Sequence, residues 1–141
     1  MNRYLLIRQL KRHEGRRLRP YRDTVGKLTI GYGRNLEDVG ISKDEAEIML
    51  GNDIDTVERL LAGVDGYDNL NAERQTVVAN MAFNIGLTRL QGFRRMWAAI
   101  RRSDYDSAAF EMLDSKYARQ VGARAVELAE IMRTGSIKDG L

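Results

Sequence analysis

The chain has 141 residues, one histidine, one proline and no cysteine, with 23 Lys and Arg against 20 Asp and Glu. That length fits one domain of ordinary size, and an apolar share of 43% without repeats or low-complexity tracts excludes a disordered chain. The residue counts also exclude disulfides, a thiolate nucleophile and Cys- or His-rich metal sites, so any proton chemistry falls on carboxylates.

The first helix is expected over Arg3–His13, with Leu6, Leu10 and His13 on one face, and Gly15 breaks it. Arg8, Gln9 and Lys11 interrupt its apolar residues, so it is not a signal peptide, and the longest apolar runs, such as Met81–Phe83, are too short to cross a bilayer. The chain is therefore expected to be made in the cytoplasm and exported only with outside help. From Leu18 to Gly33 the texture changes to LRPYRDTVGKLTIGYG. Thr24–Lys27 reads as a turn between two extended runs, giving a β-hairpin with Leu28, Ile30 and Tyr32 on one face and Thr29, Gly31 and Gly33 on the other. Ser42 and Glu45 form a capping-box pattern, and a helix follows to about Ala62. Ala46, Met49, Leu50, Ile54, Val57, Leu60 and Leu61 recur along it at the helical period. A Gly/Asp-rich link at Gly63–Asp68 leads into a wholly helical remainder. Asn71 caps a helix ending at Gly86, Phe93, Met96, Trp97 and Ile100 mark a second, Asp104 opens a third, and Val126, Ala129 and Met132 belong to the last, which stops at Gly135. Trp97 falls at core spacing, and His13 reads as a packing residue partly buried beside Glu14.

The fold class expected is α+β and mostly helical. A hairpin lobe at about 14–41 is joined by a connecting helix at about 42–62 to a helical lobe at about 64–141, which also takes the first helix, 3–13. The whole chain, 1–141, is one domain, and a cleft between two lobes is a natural ligand site.

Glu14 at the end of the first helix and Asp23 at the end of the first strand are the carboxylates whose positions stand out. With the turn centred on Gly26, Asp23 and Thr29 come out as near cross-strand neighbours, roughly 5 Å apart at Cβ if directly opposite. An acid, a base and a hydroxyl on one groove suit glycoside hydrolysis, in which one carboxyl protonates the leaving oxygen and the other activates water. The same residues also read as a helix-end Glu and a turn-capping Asp, and residue types alone leave both readings open.

The run HEGRRLRPYRDTVGKLTIGYG resembles the active-site segment of phage-type lysozymes, the family of the T-even coliphage enzyme. Glu14, Asp23 and Thr29 match that family's Glu, Asp and Thr at its spacings, as do Gly31 and Gly33. SKDEAEIMLGNDIDTVERLL resembles its inter-lobe helix and NMAFNIG its cleft-lining helix end. QVGARAVELAEIMRTG resembles its closing segment, with Gln120 and Arg124 matching residues near the catalytic Glu. The resemblance implies a muramidase that cleaves the β-1,4 bond between N-acetylmuramic acid and N-acetylglucosamine with inversion. Glu14 is then the general acid, and Asp23 the general base that positions water with Thr29. Tyr21, Gly33, Asn35, Phe83, Asn84, Gln120 and Arg124 contact substrate, and Arg124 pairs with Glu14. No cofactor or metal is implied. The partner expected is bacterial peptidoglycan, reached by a monomeric endolysin. That endolysin waits in the host cytoplasm for holin-type permeabilisation and then acts on the periplasmic wall, without nucleic acid and without inserting into the membrane.

The sequence departs from the family in three places. Arg34 stands where the family usually has His, which suggests a lost internal ion pair. Asn35 replaces an apolar cleft residue. The short span from Arg34 to Ile41 makes the hairpin lobe compact, so fewer or differently shaped sugar subsites are expected. Two rival readings are a lytic transglycosylase, which needs only one acid and leaves Asp23 and Thr29 unexplained, and a basic helical nucleic-acid-binding module. The latter draws on Lys11, Arg12, Arg16, Arg17, Arg19 and Arg22 and on Arg94, Arg95, Arg101 and Arg102, which attract polyanions or simply solvate a face.

Overall fold

The structure, a computed structural model, describes residues 1–138; the last three residues of the expected domain lie outside the described residues. The chain divides into two compact units, Met1–Met49 and Leu50–Leu141. Helix α1 (Arg3–Glu14) opens the first unit, capped by Asn2, whose side chain accepts from Leu5 N at 3.0 Å. His13 is exposed on its last turn rather than packed beside Glu14, because α1 has no buried side chain.

Strands β1 (Arg17–Arg22), β2 (Leu28–Gly31) and β3 (Arg34–Asn35) form an antiparallel sheet in the order β1-β2-β3. β1 lies at an edge, which tolerates Pro20, and its register with β2 shifts between Arg17 and Tyr21. The face that carries Leu28 and Ile30 is half-buried at both. Thr29, on the other face, is instead 3% exposed. Every buried hydrophobic side chain among the described residues lies at Leu61 or later, so polar contacts tie the first unit together. Leu28 O accepts from Leu36 N at 2.8 Å, Arg22 pairs with Glu37 at 2.7 Å, and Lys27 pairs with Asp38 at 3.2 Å.

Helix α2 (Lys43–Leu61) starts in the capping box read from the sequence: Glu45 N donates to Ser42 Oγ at 3.1 Å, and Ser42 N to Glu45 Oε1 at 2.8 Å. Of its seven apolar stripe residues only Leu61 is buried. Leu50, Ile54 and Val57 instead line an open groove of about 550 Å³ with Ala79 and Phe83.

The second unit continues through a 3-10 turn (Tyr67–Asn69), α3 (Ala72–Ile85), α4 (Leu87–Gln91), α5 (Arg94–Arg101), α6 (Tyr105–Leu113), α7 (Lys116–Val121) and α8 (Ala123–Thr134). Asn71, Asp104 and Ser115 cap α3, α6 and α7 through their side chains. Val77, Val78, Met81, Met96, Ile100, Met112 and Met132 are fully buried, each contributing about 1.5–3 kcal/mol of apolar burial. Trp97 joins this core as expected, its indole N–H donating to Leu90 O at 2.9 Å.

Arg74 closes the unit. Its guanidinium lies 3.5 Å from the Tyr105 ring centroid and donates to the α8 carbonyls of Met132 at 2.7 Å and Arg133 at 3.2 Å. Those carbonyls have no partner within the helix, and a cation beside them is favoured by the helix dipole. Arg74→Ala is expected to destabilise the protein by about 2–3 kcal/mol, from lost charged hydrogen bonds and the cation–π contact. Urea unfolding measures this, and a loss below about 0.5 kcal/mol would remove Arg74 from the account.

Candidate active site

Six of the candidate residues belong to the first unit. Glu14 is the last residue of α1, where Gly15 turns the chain at φ +72°. Its carboxyl group rests against Gly33: a Cβ at Gly33 would lie 3.0 Å from Glu14 Oε2 and 3.3 Å from its Cδ. Gly33 adopts φ +80°, so the glycine serves both the backbone turn and the close approach of the acid.

The hairpin turn sets Asp23. Asp23 N donates to Lys27 O at 2.9 Å, which places Asp23 opposite Lys27 around a three-residue loop with Gly26 at φ +85°. Asp23 Oδ1 accepts from Val25 N at 3.0 Å and Lys27 N at 2.8 Å, so one carboxylate oxygen organises the turn. Thr29 lies opposite Tyr21, not opposite Asp23. Asp23 and Thr29 are therefore diagonal neighbours on one face, a separation of roughly 7–8 Å in such pairs rather than the roughly 5 Å of a direct pair. The expected cross-strand neighbour relation is corrected by this one step.

The Thr29 hydroxyl donates to Lys27 O at 2.8 Å, which satisfies a buried donor and leaves Oγ1 as an acceptor. Thr29 also lies opposite Asn35 in β3, so Tyr21, Thr29 and Asn35 stand in one row across the sheet. The Arg17 guanidinium lies 4.3 Å from the Tyr21 ring centroid. The Asn35 amide closes the next turn, donating to Asp38 Oδ2 at 3.0 Å and accepting from Asp38 N at 3.0 Å. Arg34 has an ion pair of its own: Nη1 donates to Glu45 Oε1 at 2.8 Å and to Gly40 O at 3.1 Å. This guanidinium, helped by the Ser42 cap, holds the Glu45 carboxyl down at about 2. The internal ion pair suggested as lost is thus matched by another between β3 and the start of α2.

Phe83, Asn84, Gln120 and Arg124 lie in the second unit. Phe83 and Asn84 are exposed near the end of α3, and Gln120 is exposed on α7. Arg124, in the first turn of α8, is half-buried and bound by Asn80: Nε and Nη2 donate to Asn80 Oδ1 at 2.9 and 2.6 Å, and Nη2 also donates to Asn80 O at 3.3 Å. Asn80 is the first residue of NMAFNIG, and residue type alone does not mark it as a partner of Arg124. Phe83, Asn80 and Arg124 share the groove lined by Leu50, Ile54 and Val57. Among the described residues no three His, Asp or Glu side chains gather as a metal site requires, and no helix is long and apolar enough to cross a membrane.

The family model for phage lysozyme matches residues 11–130, a span containing all ten candidate residues. A probable T4-type lysozyme 2 of Dictyostelium discoideum is 26% identical over 160 residues, covering 92% of this chain and 94% of that protein. An endolysin of Acyrthosiphon pisum secondary endosymbiont phage 1 is 31% identical over 119 residues, covering 82% of this chain and 80% of its own. The pre-baseplate central spike protein Gp5 of Enterobacteria phage T4 is 26% identical over 162 residues, covering 94% of this chain and 28% of the spike protein. With its Glu, Asp and Thr inside a family match that spans most of its length, the chain belongs to the phage lysozyme family and is a lysozyme-like glycoside hydrolase.

Proposed function

We propose that the protein hydrolyses the β-1,4 bond between N-acetylmuramic acid and N-acetylglucosamine in peptidoglycan with inversion of the anomeric centre. Glu14 is the general acid that protonates the leaving oxygen. Asp23 is the general base, and it shares the attacking water with Thr29. Tyr21, Gly33, Asn35, Phe83, Asn84, Gln120 and Arg124 contact the glycan. The protein acts as a monomeric endolysin, reaching the wall once a partner has permeabilised the membrane; the similarity to a phage endolysin supports this role.

The observation that carries the mechanism is the hydrogen-bonding state of Asp23 and Thr29. The Thr29 proton is given to Lys27 O, and Asp23 Oδ1 is taken by two backbone N–H groups. What remains is a hydroxyl oxygen and Asp23 Oδ2, both acceptors on one face of the sheet. A water that donates one hydrogen to each has a lone pair left for the anomeric carbon. The Thr29 methyl contributes nothing to that arrangement. Thr29→Ala is therefore expected to slow turnover by one to two orders of magnitude, near the low end of what proton-transfer positioning supplies, and Thr29→Ser by much less.

Proton NMR of a soluble peptidoglycan fragment, read before mutarotation, tests the stereochemistry. The α-anomer should appear first. Initial β-anomer, or a covalent glycosyl-Asp23 adduct, would make Asp23 a nucleophile and overturn the water assignment.

A further inference from the structure

Arg124 is held firmly, yet its charge is not cancelled. It is half-buried on the groove that Ile54, Val57 and Phe83 also line. One neutral residue of α3 fixes it: Nε and Nη2 donate to Asn80 Oδ1 at 2.9 and 2.6 Å, and Nη2 donates again to Asn80 O at 3.3 Å. These three bonds use every hydrogen on Nε and Nη2 and leave the two on Nη1 without a partner among the described residues. Tyr117 Oη is the one buried side-chain N or O atom without a partner among those residues, so Nη1 is open to solvent. Arg124 is in no ion pair among the described residues, although Glu58 lines the same groove. Its place in the first turn of α8 is also the end of a helix where the dipole disfavours a cation. A cross-link between α3 and α8 accounts for the bonds but not for the amide. An aspartate of the same shape would hold the fork by stronger, charge-assisted bonds and would cancel the charge.

We propose that Asn80 is a positioning residue: it fixes the Arg124 fork while leaving the charge uncancelled, so that Nη1 binds a carboxylate of the peptide carried by the glycan. This rests on the peptidoglycan reading above and names the part of that substrate which Arg124 meets. The sugar backbone is uncharged wherever the lactyl group is amide-linked to peptide, so the carboxylates of such a substrate belong to its peptides. A guanidinium already locked through two of its nitrogens loses little further freedom when the third meets a carboxylate. Its half-burial strengthens that hydrogen bond relative to one made at a fully exposed arginine.

The test compares Asn80→Asp with Asn80→Ala. Binding is measured in the Glu14→Gln background, on a soluble peptidoglycan fragment with free peptide carboxylates and on the same fragment with those carboxylates amidated. The parent should prefer the free-carboxylate fragment by roughly tenfold, the size of one hydrogen bond to a charged group. Asn80→Asp should keep the urea midpoint at or above the parent's and bind the two fragments equally. Asn80→Ala should lower the urea midpoint and retain part of the preference, because Arg124 keeps its charge but loses its hold. With native Glu14, Asn80→Asp should raise KM by about the same tenfold and change kcat much less. A parent that does not distinguish the fragments would overturn the proposal, as would an Asn80→Asp variant that keeps the parent's preference. A fall in kcat at constant KM would also overturn it, since the charge would then serve the chemistry, for instance through Glu14. Failure of the native enzyme to cleave the fragment, with the binding differences intact, would overturn the hydrolysis reading alone.

Discussion

Glu14→Gln should abolish wall clearing while leaving the protein folded. The amide is nearly isosteric with the carboxyl, so the contact with Gly33 is kept, but it cannot deliver a proton to a glycosidic oxygen. General acid catalysis contributes roughly 10²–10⁴-fold, and turnover should fall by at least the lower figure. The thermal midpoint should be unchanged or slightly raised, because catalytic groups are held for function rather than stability. Activity above about a tenth of the parent's, in a variant with native circular dichroism, would remove Glu14 from the acid's role.

Gly33→Ala should lower activity less, and by a different route. The new methyl would stand 3.0 Å from Glu14 Oε2 and 3.6 Å from its Cγ, and the flexible carboxyl end yields more readily than the backbone. Relief of that contact asks the Glu14 carboxyl to give by only a few tenths of an ångström, and since a misplacement of about 1 Å is worth about 10²-fold, a several-fold loss of turnover is expected. The substitution also strains a residue at φ +80°, by roughly 1–2 kcal/mol. Gly31→Ala separates the two effects, since Gly31 has φ +72° and nothing within 4 Å of its added Cβ. Both variants should lose similar stability in urea, and only Gly33→Ala should show the several-fold loss of kcat/KM. Equal activities in the two would mean that the contact between Gly33 and Glu14 has no catalytic consequence.

The parts of the fold most legible in the sequence are those decided within a few residues. The Ser42–Glu45 box and the caps at Asn71 and Asp104 depend on one side chain meeting a nearby backbone group, the helix stops at Gly86 and Gly135 on a residue free to take positive φ, and each stands where residue type indicated. The hairpin register was not legible to the same degree. Centring the turn on Gly26 makes Asp23 and Thr29 partners. In the structure Gly26 is instead the last residue of a three-residue loop, so the pairing moves to Asp23 with Lys27. A two-residue strand such as β3 has no periodicity to detect, and α7 is scarcely longer than one turn and a half. The stripe on α2 shows another limit: its period is helical, but periodicity does not reveal whether a partner covers the face, and only Leu61 is buried. Nothing local marks Asn80 in the sequence, because the group it binds, Arg124, lies 44 residues away.

The proposal that two carboxylates and a water do the chemistry is tested most directly by the mass of the products. Peptidoglycan digested to completion by the purified protein should yield muropeptides with reducing N-acetylmuramic acid ends, each carrying the elements of one added water. Ends lighter by one water, in the 1,6-anhydro form, would mean that the sugar's own hydroxyl displaces the leaving group. Asp23 and Thr29 would then hold no attacking water, and the hydrolytic account would be wrong.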